Sequence, residues 1–188
     1  MHAEALAAMR VILERSAGLV GSRANGLDTA VAAYSTSGAQ GRDARPTVLD
    51  VGSYDVNGTY RPLVEGLGWT YNGLDLQPGP NVDIVASDPD HYPIADGAYD
   101  VVISGSTMEH VARPWRWVPE LVRVLRPGGL LAIVTHWQFP EHRYPMDYWR
   151  FMVDGMRLLL DDTGQLEDYV IEYVSQWDVA AAAWKNAD

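Results

Sequence analysis

The strongest constraint on the fold is a set of short apolar runs separated by stretches of helical periodicity. Thr47-Val48-Leu49-Asp50-Val51 stops at Gly52, Tyr99-Asp100-Val101-Val102-Ile103-Ser104 stops at Gly105, and Leu130 to Thr135 is apolar almost throughout. Runs this short and this apolar read as strands buried on both faces. Further strands are expected at Trp69 to Leu76 and Val82 to Ala86. Between them, Gly58 to Leu67 reads as a modest helix. Pro114 to Leu125 is the clearest one, with Trp117, Leu121, Val124 and Leu125 on one face and Pro127-Gly128-Gly129 as its stop. Alternating strands and helices imply an α/β fold, a doubly wound and mostly parallel sheet covered on both sides. Gln77-Pro78-Gly79-Pro80-Asn81 is too short and too rich in proline for a crossover helix, so an extended loop is expected there.

The two ends differ from this pattern. Asp154 to Leu160 looks helical, and Glu167 to Ser175 and Trp177 to Lys185 are β-like and nearly adjacent. So short a join cannot make a parallel crossover, which predicts an antiparallel hairpin at the sheet edge and seven strands in all. At the other end, residues 4–17 carry Leu6, Met9, Leu13 and Ala17 at helical spacing, with Gly18 as a stop. Gly21 to Pro46, rich in Gly, Ala and Ser, reads as a loop or broken helix, either a lid over a site or an N-terminal extension. The expected division is therefore 1–45, a helix with a lid-like segment, and 46–188, the sheet domain.

Composition removes several function classes. The 188 residues include no cysteine, which excludes disulfides, a thiolate nucleophile and sulfur-ligated zinc. Fourteen Lys and Arg against 25 Asp and Glu give a formal charge of −11, a field that repels nucleic acid and anionic membranes. No apolar run approaches the roughly 20 residues of a membrane helix. Met1-His2-Ala3-Glu4 lacks the basic-then-apolar plan of a signal peptide, so a soluble cytoplasmic protein is the expectation.

In an open doubly wound sheet, ligands bind beyond the carboxyl ends of the strands, near the point where strand order reverses. Five positions fall there. The first is the turn Asp50-Val51-Gly52-Ser53-Tyr54-Asp55-Val56-Asn57-Gly58, which contains neither GxGxxG nor a phosphate-loop GK[ST]. The missing GxGxxG argues against a nicotinamide oxidoreductase. Asp75, about 25 residues after Asp50, stands where a carboxylate accepts both hydroxyls of a ribose. Asp88 follows the third strand, where it could meet an adenine amino group. Ser104-Gly105-Ser106-Thr107-Met108-Glu109-His110 follows the fourth, and His136 follows the fifth.

These blocks together resemble the class I S-adenosylmethionine-dependent methyltransferases, a Rossmann-like family, over roughly residues 45–185. The resemblance is carried by VLDVGSYDVNG (48–58), NGLDL (72–76), IVASD…YPIADGAYDVVISGSTMEHV (84–111) and ELVRVLRPGGLLAIVT (120–135). It implies a methyl donor lying across the ends of strands one to four. Carried over by position, Asp50, Gly52 and Ser53 line its methionine end, Asp75 holds the ribose, Asp88 the adenine, and Ser104 and Gly105 close the site. One departure stands out. The family's DxGxGxG would place glycines at 54 and 56, where this chain has Tyr54 and Val56.

For the methyl acceptor, three of the five histidines fall on two strand-end loops: His110, His136 and His142, with Glu109, Glu141 and Asp147 nearby. His91 is a weaker candidate. His136 or His142 would act as general base on a hydroxyl, with His110 beside them. Glu109-His110 also resembles the E-x-x-E-H segment of metal-dependent family members, with Ser106 at the first glutamate position. That resemblance implies a magnesium-type ion, for which Glu109, His110 and His136 are the expected ligands. From Trp137 to Phe151, six aromatics occur in fifteen positions among His, Glu, Asp and Arg. Such a segment suits a sugar, a phenolic acceptor, a subunit interface or a packed loop over the sheet. Its Pro145-Met146-Asp147-Tyr148-Trp149-Arg150-Phe151 is similar to the PxDYWRF of small methyltransferases in bacterial glycan pathways, the methylmannose polysaccharide O-methyltransferases of mycobacteria among them. The resulting expectation is an O-methyltransferase for a carbohydrate or similar polar metabolite, with a non-catalytic binding domain as the rival. Residues 137–151 and the N-terminal helix would cover the acceptor, and Trp115 or Trp149 would serve a homodimer.

Overall fold

The computed structural model describes residues 3–16 and 45–187, so nearly all of the expected lid segment lies outside the described residues. Seven strands, β1 (Thr47–Val51), β2 (Thr70–Asp75), β3 (Ile84–Val85), β4 (Tyr99–Gly105), β5 (Leu125–His136), β6 (Leu166–Tyr173) and β7 (Asp178–Lys185), form one sheet in the order β3-β2-β1-β4-β5-β7-β6. β1 to β5 pair in parallel; β7 runs antiparallel to both β5 and β6. The expected hairpin is thus present, with β7 inside the sheet and β6 at its edge. Among the described residues, four helices pack on it: α1 (Ala3–Ser16), α2 (Arg61–Gly66), α3 (Pro114–Val124) and α4 (Val153–Asp161).

The period-2 alternation of side chains sorts the apolar strands into two cores. Val48, Val101, Ile103, Leu130, Ala132, Val134, Ala180 and Ala182 face α1 and α2, with Met9 and Leu13 packed on them. Leu49, Val102, Leu131, Ile133, Ala181 and Ala183 face α3 and α4, meeting Trp117, Leu121, Met156 and Leu160. Both faces of the central strands are covered, which is why their sequences read as continuous apolar runs.

Three local differences from expectation have physical causes. β3 pairs over only two residues, Ile84 with Leu74 and Val85 with Asp75. α2 begins at Arg61, with Pro62 in its first turn where a missing N–H costs nothing. β5 begins at Leu125 rather than Leu130. Leu125 pairs with Tyr99, the register shifts, and pairing resumes at Val101 and Leu130. Pro127-Gly128-Gly129 therefore lies within an irregularity of β5. There Arg126 Nε donates to Asp100 Oδ1 at 2.5 Å, while Asp100 Oδ2 accepts both the N–H and the hydroxyl of Thr47 at 2.8 Å. The proline-rich link 77–81 contains no helix, as expected. Its Asn81, in left-handed backbone with φ 68°, donates to Tyr71 Oη at 2.8 Å and Ser53 O at 2.9 Å, tying β1 to β2.

Asp50 is the buried carboxyl of this seam, 3% exposed, and accepts a 2.5 Å hydrogen bond from Tyr71 Oη. Burial pushes its carboxyl up from 3.8 to about 7; the Tyr71 bond opposes that shift and the Asp75 charge adds to it. The folded chain thus holds this proton more tightly than the unfolded one. Stability from neutral Asp50 is complete below the unfolded value of 3.8 and disappears as pH rises to about 7. Melting temperatures of the parent and Asp50→Asn chains measured from pH 4 to 8 check this. The parent's advantage should shrink by several degrees up to pH 7 and stay level above it, at about 2–4 °C per kcal/mol for a chain of this size. A difference that does not change with pH would show Asp50 ionised throughout.

Candidate active site

The carboxyl ends of β1, β2 and β4 meet around the turn after β1. Gly52 has φ 81°, and a Cβ there would collide with the Thr107 side chain, so only glycine fits. The N–H groups of Gly52 and Ser53 both donate to Leu74 O. Tyr54 and Val56 replace glycines without strain, because neither is among the residues with positive φ. The loop instead closes on Asp55, whose Oδ1 accepts Gly58 N–H at 2.8 Å, and on Asp75, whose Oδ2 accepts Tyr54 N–H at 3.1 Å. Ser53 and Ser104 are buried and spend their hydroxyls on Asn81 O and Val51 O, which knits the strand ends together. Asp88 is exposed and accepts Asp90 N–H.

One residue here was missed in the sequence. A Cβ on Gly105 would collide with Tyr60 Oη, so the phenol lies directly against the end of β4. Tyr60 is 1% exposed, and its hydroxyl has no hydrogen-bond partner. Burial, with the carboxylates of Asp50, Asp178 and Glu109, pushes its pKa well up and keeps it neutral. A buried unpaired hydroxyl is costly in a protein interior. Together with Asp75 and the two close-approach glycines, it fits a nucleoside-type cofactor lying across these strand ends.

A second group lies beyond β4 and β5. After Gly105 the chain turns through Ser106, whose φ of 52° is unusual for a residue with a Cβ, into a 3-10 turn, Met108–His110. The turn buries Glu109 completely. Its Oε2 accepts the Thr135 hydroxyl at 2.7 Å, and its Oε1 accepts no hydrogen bond. Three imidazoles surround that oxygen: His136 Nε2 at 3.1 Å, His110 Nε2 at 3.8 Å and His142 Nε2 at 3.8 Å. Each ring is held from behind. His136 Nδ1 meets Asp178 Oδ1 at 2.8 Å, His110 Nδ1 meets Met146 O at 2.5 Å, and His142 Nδ1 lies 3.3 Å from Asp147 Oδ2. Burial holds His142 below its ordinary pKa of 6.5; His110 lowers it further, against the pull of Asp147.

The ligand atoms of Glu109, His136 and His142 all lie within 4.8 Å of one another. His110, expected as the third ligand, stands beside this group, and His142 joins it from the following loop. Glu109 Oε1 lies 3.1 Å and 3.8 Å from the two imidazole nitrogens, against about 3.4 Å between donors of a tetrahedral set with bonds near 2.0–2.1 Å, so the residues fit a divalent ion after a small adjustment. His91 lies elsewhere, exposed and 3.7 Å from Glu120 of α3. Glu141 is also exposed and pairs with Arg143.

Residues 137–151 are latched onto this group. The Arg150 guanidinium grips Asp147 through Nη1 and Nη2 at 2.6 and 2.7 Å and donates to Phe139 O and Pro140 O. Asp147 Oδ2 in turn accepts His142 N–H at 2.7 Å, and Arg150 holds the Asp147 carboxyl well below the usual carboxylate range. Tyr148 and Trp149 N–H donate to Glu109 O, and Phe151 N–H to His136 O. The aromatic segment divides accordingly. Phe139 stacks on His136 and Phe151 is buried, whereas Tyr144, Tyr148 and Trp149 are exposed, Trp149 standing edge-on to exposed Trp115.

Residues 49–133 match the family model described as a methyltransferase domain. Among curated proteins, the chain is 36% identical over 106 residues to an uncharacterized methyltransferase of Mycolicibacterium gilvum, covering 50% of this chain and 41% of that protein. It is 31% identical over 127 residues to the 2-methyl-6-phytyl-1,4-hydroquinone methyltransferase of Synechocystis, covering 61% and 39%. The chain therefore spans about two fifths of the length of these curated relatives. Among solved structures, the 1,6-didemethyltoxoflavin-N1-methyltransferase of Burkholderia thailandensis, with 1,6-didemethyltoxoflavin and S-adenosylhomocysteine bound, shares the fold at TM-score 0.65 and 15% identity, over 97% of this chain and 78% of that one. An S-adenosylmethionine-dependent methyltransferase of Aquifex aeolicus shares it at TM-score 0.58 and 23% identity, over 74% and 82%. The matched segment is thus similar to a methyltransferase domain, and the sheet shares its fold with S-adenosylmethionine-dependent methyltransferases.

Proposed function

We propose that the chain is an S-adenosylmethionine-dependent O-methyltransferase acting on a hydroxyl of a sugar or similar small polar metabolite. The observation that carries this reading is the convergence of His110, His136 and His142 on one buried carboxylate oxygen, beyond the strand ends that fit the cofactor. A hydroxyl must lose its proton as it is methylated, and a set of imidazoles is suited to take it. When bound, S-adenosylmethionine supplies a methyl carbon on a positively charged sulfur. Asp75 holds the ribose, the turn at Gly52 and Ser53 takes the methionine end, Asp88 faces the adenine, and Tyr60 with Gly105 borders the methyl.

Where no ion is bound, His142 is the imidazole best placed as base, because it is half-buried and comes from the loop that would cover the acceptor. His136 has no exposure, and its Nδ1 is held by Asp178, so it positions Glu109 and the rest of the cluster. A divalent ion held by Glu109, His136 and His142 would lower the pKa of the acceptor hydroxyl; His110 then remains as the neighbouring imidazole. Exposed Tyr144, Tyr148 and Trp149 offer ring faces to the acceptor. A phenolic acceptor is the second reading, favoured by the exposed Trp115–Trp149 pair and by the hydroquinone named for the Synechocystis relative.

Calorimetry with S-adenosylhomocysteine tests the cofactor. Micromolar binding is expected, weakened at least about tenfold in Asp75→Ala, where two charge-assisted hydrogen bonds are lost. No heat at millimolar ligand would leave a non-catalytic domain. The acceptor is tested by S-adenosylhomocysteine release over a panel of sugars, phenols and amines. His142→Ala should lower kcat about 100-fold, in the range of general-base catalysis, without changing S-adenosylhomocysteine affinity. Arg150→Ala should lower kcat in the same direction, because the latch that positions His142 is released. Turnover of amines alone would overturn the O-methyl reading.

A further inference from the structure

The resemblance at Glu109-His110 implies magnesium, and the donor set disagrees with it. We infer that the centre at Glu109, His136 and His142 selects a nitrogen-preferring first-row divalent ion, of the iron(II), cobalt(II) or zinc(II) kind, and rejects magnesium. This rests on the proposed function only for the ion's purpose; the selectivity follows from the ligands themselves.

The cluster offers one carboxylate oxygen and two imidazole nitrogens within 4.8 Å, and a third imidazole, His110, lies 3.8 Å from the same oxygen. Magnesium takes oxygen ligands in near-octahedral geometry and keeps several waters. Imidazole suits zinc, iron, nickel and copper, and two histidines with one carboxylate form a familiar iron(II) set.

Glu109 and His136 have no solvent exposure, so a retained hydration shell has little access from their side. Glu109 Oε2 is already occupied by the Thr135 hydroxyl, which leaves Oε1 as a single-atom ligand.

Asp178 Oδ1 behind His136 Nδ1, and Pro140 O with Asp147 Oδ2 behind His142 Nδ1, turn both Nε2 atoms toward Glu109 Oε1. Carboxylates behind metal-bound imidazoles raise ligand basicity and strengthen binding to imidazole-preferring ions. Asp178 is itself held by the Ser175 hydroxyl at 3.0 Å and Asp147 by Arg150, so neither anchor is free to swing inward as an oxygen ligand.

The test uses the full chain stripped of metal by chelator and titrated with cobalt(II), read by ligand-field absorption. A visible band saturating at one equivalent is expected. It should be removed by zinc, should survive about a hundredfold excess of magnesium, and should be absent from Glu109→Gln and His142→Ala. Retained S-adenosylhomocysteine binding in both variants shows that they fold. Displacement of cobalt by comparable magnesium, or an unchanged band in both variants, would overturn the assignment. If cobalt behaves as expected while S-adenosylhomocysteine does not bind, the methyltransferase reading fails and the metal assignment stands. If the cofactor binds and magnesium competes evenly, the reverse holds.

Discussion

A carboxylate removed from water costs several kcal/mol unless protein groups replace its hydration, and Glu109 is fully removed. The carboxyl ends of β4 and β5 are arranged around that cost. Thr135, at the end of β5, satisfies one oxygen, and three imidazoles ring the other. The backbone carbonyl of the same residue anchors the aromatic loop through Tyr148 and Trp149. The left-handed Ser106 turn has a related purpose, since it aims the 3-10 turn inward and sends Glu109 under the sheet end.

The fold was legible because its strands are buried on both faces, and uninterrupted apolar runs such as Val101–Ile103 and Leu130–Val134 leave little room for another reading. The 77–81 loop followed from its shortness and its prolines, and the closing hairpin from the short join between the last two strands. What stayed hidden were features set by partners distant in sequence. The start of β5 was misplaced because Pro127-Gly128-Gly129 looks like a stop, whereas the contacts of Arg126 with Asp100, and of Asp100 with Thr47, hold it as an irregularity within the strand.

The candidate site divides in the same way. Glu109, His110 and His136 could be read from their places after β4 and β5, because topology alone brings those ends together. His142 could be named but not ranked, since its position depends on the latch between Asp147 and Arg150. Asp178 was invisible, because only the antiparallel pairing of β7 with β5 sets it opposite His136. Tyr60 offered a faint signal at the head of α2, and nothing in the sequence shows that its hydroxyl ends up buried and unpaired against Gly105.

The two outer strands carry a consequence for how copies of this molecule can meet. β3 presents a two-residue ladder, too short to recruit another strand. β6 bears Glu167, Asp168 and Glu172, and its pairing is broken by a register shift where Asp168 has φ 46°. Acidic side chains and a local irregularity are what discourage edge-to-edge growth of a sheet. Among the described residues, self-association by continuing the sheet is therefore disfavoured on both flanks. Exposed ring surface lies instead where Trp115 of α3 meets Trp149 edge-on.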